Sequence, residues 1–423
     1  MHHLRTVHRY CCGPGLPALK APERFNGKQN LSIHQSPSSS MSLEKNSSFT
    51  LPKFDLECGI TLPSVNVSYK TWGTLNAERN NVMVICHPFT GCADVGKWWS
   101  SLMGCGKAFD PRRMFIFCAN ALGSPFGTTS PLSINPSTGR PYGPDFPPTT
   151  IRDDVRLHKL VLDHIGITSI AVLIGGSMGG MAVLEWQLCF PGFIRRAIAM
   201  ATCAKQSAWC IAWGEVKRQI IFTDAAFKGG YYSPDCPPTQ GLATARMAGL
   251  LTYRSSESYE ERFGRRTQEI CRSISYQDEN DACPKAGRAV DSQAVEYPLY
   301  AAQSYLRYKG STFAANFDTN CYLHIMRKMD THDITRGRVV DFLDEDTALA
   351  AVLGSMPARP LIISINSDVL CPPKEQKQLA DGIPEAELVT ISSVAGHDGF
   401  LVESERINTA VLKYLQHEFP EFY

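Results

Sequence analysis

A serine stands in a glycine-rich turn directly after an apolar run, and few folds accommodate this arrangement. The turn is Gly175-Gly176-Ser177-Met178-Gly179, the run is Ile170-Ala171-Val172-Leu173-Ile174, and a helix-type segment continues from Met181. Only small residues fit beside a serine at such a sharp strand-to-helix bend, which lifts the hydroxyl above the edge of a sheet. The spacing therefore predicts a nucleophile elbow in which Ser177 attacks the substrate.

Strand-type and helix-type segments alternate around this turn. The predicted strands are 65–69, 81–87, 114–119, 170–174, 194–200, 360–365 and 387–391. A helix is predicted after Thr150, with acidic residues in its first turn and apolar residues at helical spacing. Such alternation predicts a mostly parallel sheet with helices on both faces. With the elbow, it indicates the α/β class and an α/β-hydrolase fold with an inserted helical cap.

The 423 residues divide by composition into an extension, a core and an insertion. Residues 1–48 are basic, rich in Ser and Pro and poor in acids, which is typical of either a mitochondrial transit peptide or a disordered tail. Residues 49–202 and 354–423 carry the predicted α/β core. Residues 203–353 lose the strand pattern and are predicted to form the helical cap.

Bulk composition excludes several classes of function. The net charge of +1 argues against nucleic acid as a partner, and no apolar run approaches the roughly 18 residues that span a bilayer. The 15 cysteines form no C-x-x-C pair and no zinc-type spacing with histidine. We therefore expect reduced thiols, no metal and no bound cofactor. The expected location is the cytoplasm, with a mitochondrial one left open by the extension.

A serine nucleophile needs a base and an orienting carboxylate. In this architecture they follow the serine in the order acid, then histidine. Asp368 follows the strand that ends at Ile365, and His397 lies in a Gly-flanked loop after the last strand. The backbone N–H groups of Met178 and Phe89 are predicted to form the oxyanion hole, since both follow strands at the sheet edge.

Longer motifs resemble the homoserine O-acetyltransferase family from about Phe49 to the C-terminus. The matching segments are 120–125, 133–139, 141–147, 150–153, 175–181, 304–308 and 317–322. Trp98-Trp99, 207–210 and 330–333 are similar to the fungal branch, which includes homoserine, serine and deacetylcephalosporin C acetyltransferases. The resemblance implies a ping-pong reaction in which acetyl-CoA acylates Ser177 and an amino-acid hydroxyl such as that of L-homoserine takes the acetyl group.

The resemblance also implies an acceptor site, with one departure from the family pattern. Lys205 stands where the family usually has an arginine associated with the acceptor's carboxylate, and lysine lacks the bidentate fork. Asp398 matches the position that meets the acceptor's amine. Thr90, Trp213 and Arg218 are further candidates for the pocket lining.

The sequence leaves other acceptors and other functions open. The acceptor is either homoserine, as in methionine biosynthesis, or L-serine or a fungal secondary-metabolite alcohol. A serine esterase or thioesterase would use the same triad, and a non-catalytic binding protein is a third class. The small-molecule substrates are the only partners predicted, apart from a homodimer that the resemblance leaves open.

Overall fold

Ten β-strands build the framework of the part of the chain that the structure describes. The computed structural model describes residues 45–267, 298–339, 344–357 and 359–423. The strands are β1 (Lys45–Asp55), β2 (Thr61–Trp72), β3 (Val82–Cys86), β4 (Phe115–Ala119), β5 (Ile134–Asn135), β6 (Arg140–Pro141), β7 (Ile170–Gly176), β8 (Ile194–Met200), β9 (Leu361–Ile365) and β10 (Glu387–Ile391).

Eight of these strands form one sheet in the order β1-β2-β4-β3-β7-β8-β9-β10, while β5 and β6 form a separate hairpin. The pairs from β4 to β10 are parallel, whereas β1–β2 and β2–β4 are antiparallel. Every residue of β3, β4, β7 and β9 is buried, as expected for strands covered on both faces. The parallel strands end at one edge, and that edge carries the candidate site.

Eleven α-helices are described. They are α1 (Ile151–Ile165), α2 (Met178–Cys189), α3 (Ala208–Phe222), α4 (Thr239–Tyr253), α5 (Ser256–Arg262), α6 (Ala301–Ala314), α7 (Thr319–Asp330), α8 (Glu345–Gly354), α9 (Pro373–Gly382), α10 (Gly399–Val402) and α11 (Ser404–Glu418). The side chain of Thr150 and that of Asp153 form a capping box at the start of α1. No helix in the described ranges has the length and apolar character needed to cross a membrane.

Alternate residues of the central strands belong to separate apolar clusters, one on each face of the sheet. Val82 and Val84 of β3 belong to a cluster that includes residues of α1 and α2, whereas Met83 and Ile85 belong to one that includes residues of α11. A third cluster joins Phe89 and Met178 to residues of α3, α4 and α7. The helices inserted between β8 and β9 therefore pack against the sheet edge that holds the elbow.

These elements confirm the α/β-hydrolase fold expected from the sequence. The seven predicted strands are all present, within a few residues of their expected ends, except that β2 is longer than its predicted segment. All described elements between β8 and β9 are helices, in the interval assigned to the cap. The strand β1 begins at Lys45, so residues 45–48 of the predicted extension pair with β2 instead. Residues 1–44 lie outside the described residues.

Candidate active site

Ser177 occupies a strained turn between β7 and α2. Its backbone φ is 56° and ψ is −124°, a combination that L-residues rarely adopt. The chains cross closely here, because a Cβ on Gly179 would lie 2.1 Å from the carbonyl oxygen of Cys86 and one on Gly176 would meet the ring of Phe400. The glycines of the motif are thus required by close packing, and the turn presents the Ser177 hydroxyl to the cavity.

Ser177, His397 and Asp368 form one hydrogen-bonded chain. The distance from Ser177 Oγ to His397 Nε2 is 2.8 Å, and that from His397 Nδ1 to Asp368 Oδ2 is 2.7 Å. Asp368 follows β9 and His397 follows β10, two adjacent parallel strands. The backbone N–H groups of Leu370 and Cys371 donate to the other carboxylate oxygen, Asp368 Oδ1. These bonds hold the carboxylate in the position that orients the imidazole.

The pKa of His397 reflects opposing influences. Burial by itself lowers it, but the charge of Asp368, its hydrogen bond and the charge of Asp398 together raise the pKa above its ordinary value of 6.5. A histidine with a raised pKa is a stronger base, which suits it to accept a proton from a hydroxyl and then return it. The arrangement can therefore activate the Ser177 hydroxyl.

The two residues whose N–H groups are predicted to form the oxyanion hole, Phe89 and Met178, lie near the serine. Phe89 and Ser177 line the same cavity, and Met178 is the first residue of α2. Neither the Phe89 nor the Met178 N–H donates to another group in the described part of the chain. A free N–H at a helix N-terminus is disposed to bind a developing negative charge.

His87 shapes the loop that carries Phe89. Its Nε2 accepts a hydrogen bond from the Ala121 N–H, so its Nδ1 carries the proton and donates to the Pro88 carbonyl at 2.9 Å. Burial lowers the pKa of His87 to about 4, which keeps the ring neutral at physiological pH. The ring therefore holds the loop that carries Phe89 without adding charge to the site.

The hydroxyl of Ser177 opens into a cavity of about 120 Å³ under the cap. Three of the residues predicted for the substrate site, Thr90, Trp213 and Asp398, line this cavity. Further polar or charged lining residues, which the sequence analysis missed, are Gln206, Lys217, Arg246 and Tyr253. Arg254 Nε donates to Asp398 Oδ2 at 2.9 Å. The cavity thus holds positive and negative groups close to the nucleophile.

Lys205 and Arg218 do not line the cavity, which corrects their assignment to the substrate site. Lys205 Nζ lies 2.8 Å from Glu345 Oε2, and its side chain is 49% exposed. Arg218 donates to Glu215 and to Asp330, so its guanidinium is occupied by an ion-pair network between α3 and α7. Both cations form ion pairs outside the cavity that Ser177 lines.

Arg246 is the strongest signal that sequence reasoning overlooked. It is the only charged residue of α4, a helix of otherwise apolar or neutral residues. Its guanidinium lies 5.3 Å from the ring of Tyr253 and 4.7 Å from that of Phe313. Arg246 and Tyr253 are two helical turns apart and so share a face. A single cation in an otherwise uncharged helix indicates a position where the charge interacts with a ligand or with the site.

Comparisons with known proteins agree with this geometry. Residues 81–404 match the family model of the alpha/beta hydrolase fold. The chain is 41% identical to the homoserine O-acetyltransferase of Cryptococcus neoformans var. grubii serotype A, covering 88% of each chain. It is 44% identical to homoserine O-acetyltransferase FUB5 of Gibberella moniliformis, covering 88% of this chain and 81% of the relative.

Solved structures of two kinds also match. Homoserine O-acetyltransferase from Bacillus anthracis superposes with a TM-score of 0.74 at 26% identity, covering 89% of this chain and 98% of that one. Esterase E22 superposes with a TM-score of 0.73, also at 26% identity, covering 88% of this chain and all of that one. The scaffold is therefore similar to those of both a transferase and an ester hydrolase.

Proposed function

Since the chain belongs to the homoserine O-acetyltransferase family, with the alpha/beta hydrolase fold, we propose that it carries an acetyl group from acetyl-CoA to the hydroxyl group of L-homoserine. The chain is an acyltransferase. The observation that best supports the proposed acetyl transfer is the hydrogen-bonded chain of Ser177, His397 and Asp368 beneath a helical cap. No bound cofactor takes part, and acetyl-CoA is a substrate.

The first half-reaction forms an acetyl ester on the enzyme. Ser177 Oγ attacks the thioester carbonyl as His397 Nε2 takes its proton, and the N–H groups of Phe89 and Met178 bind the resulting oxyanion. When this intermediate collapses, the C–S bond breaks and the protonated His397 returns the proton to the departing thiolate. The products are acetyl-Ser177 and free CoA. Asp368 stabilises the imidazolium throughout.

The second half-reaction repeats these steps with the acceptor. His397 takes the proton of the acceptor hydroxyl, whose oxygen attacks the acetyl carbonyl, and the proton then returns to Ser177 Oγ as the ester bond to the enzyme breaks. The O-acetyl amino acid leaves and the resting hydroxyl is restored. The same three residues therefore serve both halves of a ping-pong cycle.

The charges in the cavity suit a zwitterionic acceptor. Arg246 offers a fork of N–H donors to an α-carboxylate, and the buried Lys217 lies on the same cavity wall as a second cation. Asp398 offers its carboxylate to an α-ammonium group, sharing it with Arg254. Thr90 lines the cavity beside Phe89 and can contact the acceptor near the reacting hydroxyl. We expect these contacts to select an amino acid over a neutral alcohol.

A panel of acceptors tests this proposal. Purified protein with acetyl-CoA is given L-homoserine, L-serine or small secondary-metabolite alcohols, and the release of CoA thiol and the acetylated product are measured. We expect the highest kcat/KM with L-homoserine. A clear preference for L-serine or for a secondary-metabolite alcohol would replace homoserine as the acceptor.

Hydrolysis is the second candidate, favoured by the similarity to esterase E22. Transfer requires that water be kept from the acetyl-enzyme until the acceptor binds. Acetate release from acetyl-CoA should therefore be slow without an acceptor, and added homoserine should accelerate thiol release. Equal rates with and without any acceptor, with acetate as the product, would identify the protein as a hydrolase.

We further propose a cytoplasmic, homodimeric enzyme. The cap helix α3 exposes several apolar side chains, among them Trp209 and Val216, and α4 and α6 expose Leu251 and Tyr308. Surfaces of this kind commonly bind a second protein surface. Fluorescence microscopy of a fusion at the C-terminus tests the location, with a mitochondrial signal as the contrary result.

A further inference from the structure

The loops after β8 and β9 bring two buried thiols and a carboxylate together behind Asp368. Cys203 lies in the first loop, Cys371 in the second, and Glu375 in the first turn of α9. The Sγ atoms of the two cysteines and a carboxylate oxygen of Glu375 all lie within 4.8 Å of one another. Because β8 and β9 are adjacent and parallel, their carboxyl ends place residues that are distant in sequence side by side.

The surrounding contacts fix this cluster in place. The Gln376 side-chain amide donates to the carbonyl of Thr202 at 2.8 Å and to that of Cys371 at 3.1 Å, which ties the two loops together. Gln376 is fully buried, so water does not compete for these bonds. The two thiols therefore face each other in a rigid setting rather than on mobile surface loops.

One oxygen of this cluster lacks a hydrogen-bond partner. Glu375 Oε2 is buried and accepts no hydrogen bond from the described residues. Burial and the nearby charge of Asp368 raise the pKa of Glu375 to about 7, while the contact with Cys203 and burial raise the pKa of the Cys371 thiol. A buried carboxylate oxygen without a donor carries a free-energy cost that a bound cation would offset.

We propose that Cys203, Cys371 and Glu375 form a binding site for a thiophilic divalent cation such as Zn²⁺, and that its occupancy inhibits acetyl transfer. Two thiolates and a carboxylate are the ligands that zinc prefers. With zinc–sulfur bonds of about 2.3 Å, tetrahedral geometry puts two sulfur ligands about 3.8 Å apart, within the spacing of this cluster. Binding displaces the two thiol protons to solvent, and the fourth position is left for water.

The inhibitory effect follows from the position of Cys371 and rests on the proposed function. The Cys371 N–H donates to Asp368 Oδ1 at 3.0 Å, so a metal bond to the Cys371 sulfur pulls on a group that holds the triad carboxylate. A displaced Asp368 orients His397 poorly, and the rate then falls. Cys371 also lines the substrate cavity, which gives the ion access from solvent.

A competing position for the ion shares Cys371. Asp368, Cys371 and His397 also offer ligand atoms within 4.8 Å of one another, and an ion bound there would occupy the triad itself. Cys203 and Glu375 belong only to the proposed site. Substitutions of these two residues therefore separate the positions, and neither residue lines the substrate cavity.

Metal binding is tested first without substrate. The full chain, kept reduced with a phosphine, is titrated with Zn²⁺ by calorimetry and with Co²⁺ by its thiolate charge-transfer absorption. Wild type and Cys236→Ser, which alters an exposed cysteine, should bind one ion more tightly than Cys203→Ser or Glu375→Gln. Equal binding by all four proteins overturns the site. This result does not depend on acetyl transfer, so it stands even if the proposed function fails.

Inhibition is tested next in the acetyl-transfer assay. Without metal, Cys203→Ser and Glu375→Gln should work at rates close to that of wild type. The Zn²⁺ concentration that halves the rate should rise at least tenfold in both variants and stay unchanged in Cys236→Ser, and a chelator should restore the wild-type rate. Inhibition that persists at the same concentration in both variants places the ion at the triad and overturns the proposal. Two independent variants keep the test decisive if one fails to fold.

Discussion

At the residue scale, the protonation of His397 decides when the site can work. Only the neutral imidazole accepts a proton, and its pKa lies above 6.5 because Asp368 and Asp398 outweigh burial. We therefore expect kcat/KM to fall as the pH decreases through a value above 6.5. Asp398→Asn removes one of the charges that raise this pKa, so the acid limb should move to lower pH.

The measurement is a pH profile of kcat/KM for wild type, Asp398→Asn and a surface control, Asp381→Asn. Asp381 pairs with Lys377 on exposed positions of α9, so its profile should match that of wild type. If Asp398 also binds the acceptor's ammonium group, Asp398→Asn should raise KM. A higher KM lowers kcat/KM at every pH but does not move the pH at which the acid limb lies. A limb that stays in place or moves to higher pH would show that Asp398 does not act on His397.

The carboxylate of Asp368 gives a second prediction at this scale. In Asp368→Asn the imidazole loses its charged partner and its tautomer is no longer fixed, so kcat should fall by about 10⁴-fold. The asparagine oxygen can still accept from the N–H groups of Leu370 and Cys371, and thermal unfolding should change little. A variant with nearly normal turnover would mean that another carboxylate orients His397.

The sequence could reveal the triad and part of the cavity lining, namely Thr90, Trp213 and Asp398, but not the cations of the cavity. Ser177, Asp368 and His397 each follow a strand that is recognisable from its apolar residues, and parallel strands place such positions at one edge. Arg246 and Lys217 instead reach the cavity from helices of the cap, whose packing depends on contacts distant in sequence. Lys205 lies in a loop next to the site, but its side chain points outward to Glu345, and the local sequence does not encode this direction.

At the element scale, a buried ion pair connects the cap helix α7 to the core helix α1. Lys328 Nζ lies 2.7 Å from both oxygens of Asp154 and 2.8 Å from the Leu122 carbonyl, and the lysine side chain is fully buried. Lys328→Met leaves the Asp154 carboxylate buried without its cation. We expect it to lower the free energy of unfolding by about 3–5 kcal/mol.

Urea unfolding measures this loss, with Lys377→Met as the control. Lys377 forms an exposed pair with Asp381, and exposed pairs contribute little. The double variant Lys328→Met/Asp154→Asn should recover part of the stability, because the amide carries no charge that needs a partner. A single variant as stable as wild type would mean that the pair does not support the junction between α1 and α7.

The elements themselves could be predicted to different degrees. The buried strands β3, β4, β7 and β9 have continuous apolar sequences, which distinguish them clearly. The edge strand β1 escaped prediction because seven of its 11 residues are polar and it contains Pro52, and an edge strand tolerates both. The two-residue strands of the β5–β6 hairpin are too short to produce any periodicity.

At the scale of the whole molecule, the inner and outer sides of the cap differ. Its inner side covers the cavity of Ser177, while its helices α3, α4 and α6 also carry exposed apolar residues such as Trp209, Leu251 and Tyr308. A symmetric dimer would bury such a surface against its own copy. The same contact would hold the cap over the cavity and so help to exclude water from the acetyl-enzyme.

Size-exclusion chromatography with light scattering tests this arrangement, and we expect a mass of two chains for wild type. A charge placed in an apolar interface is costly to desolvate, so Leu251→Glu should shift the protein toward the monomer. Ile134→Glu is the matched control, since Ile134 is similarly exposed but lies on the β5–β6 hairpin and not on α3, α4 or α6. If cap closure depends on the dimer, Leu251→Glu should also release more acetate per acetyl group transferred. If wild type is a monomer, or if Leu251→Glu dissociates no more than the control, the cap surface is not a dimer interface.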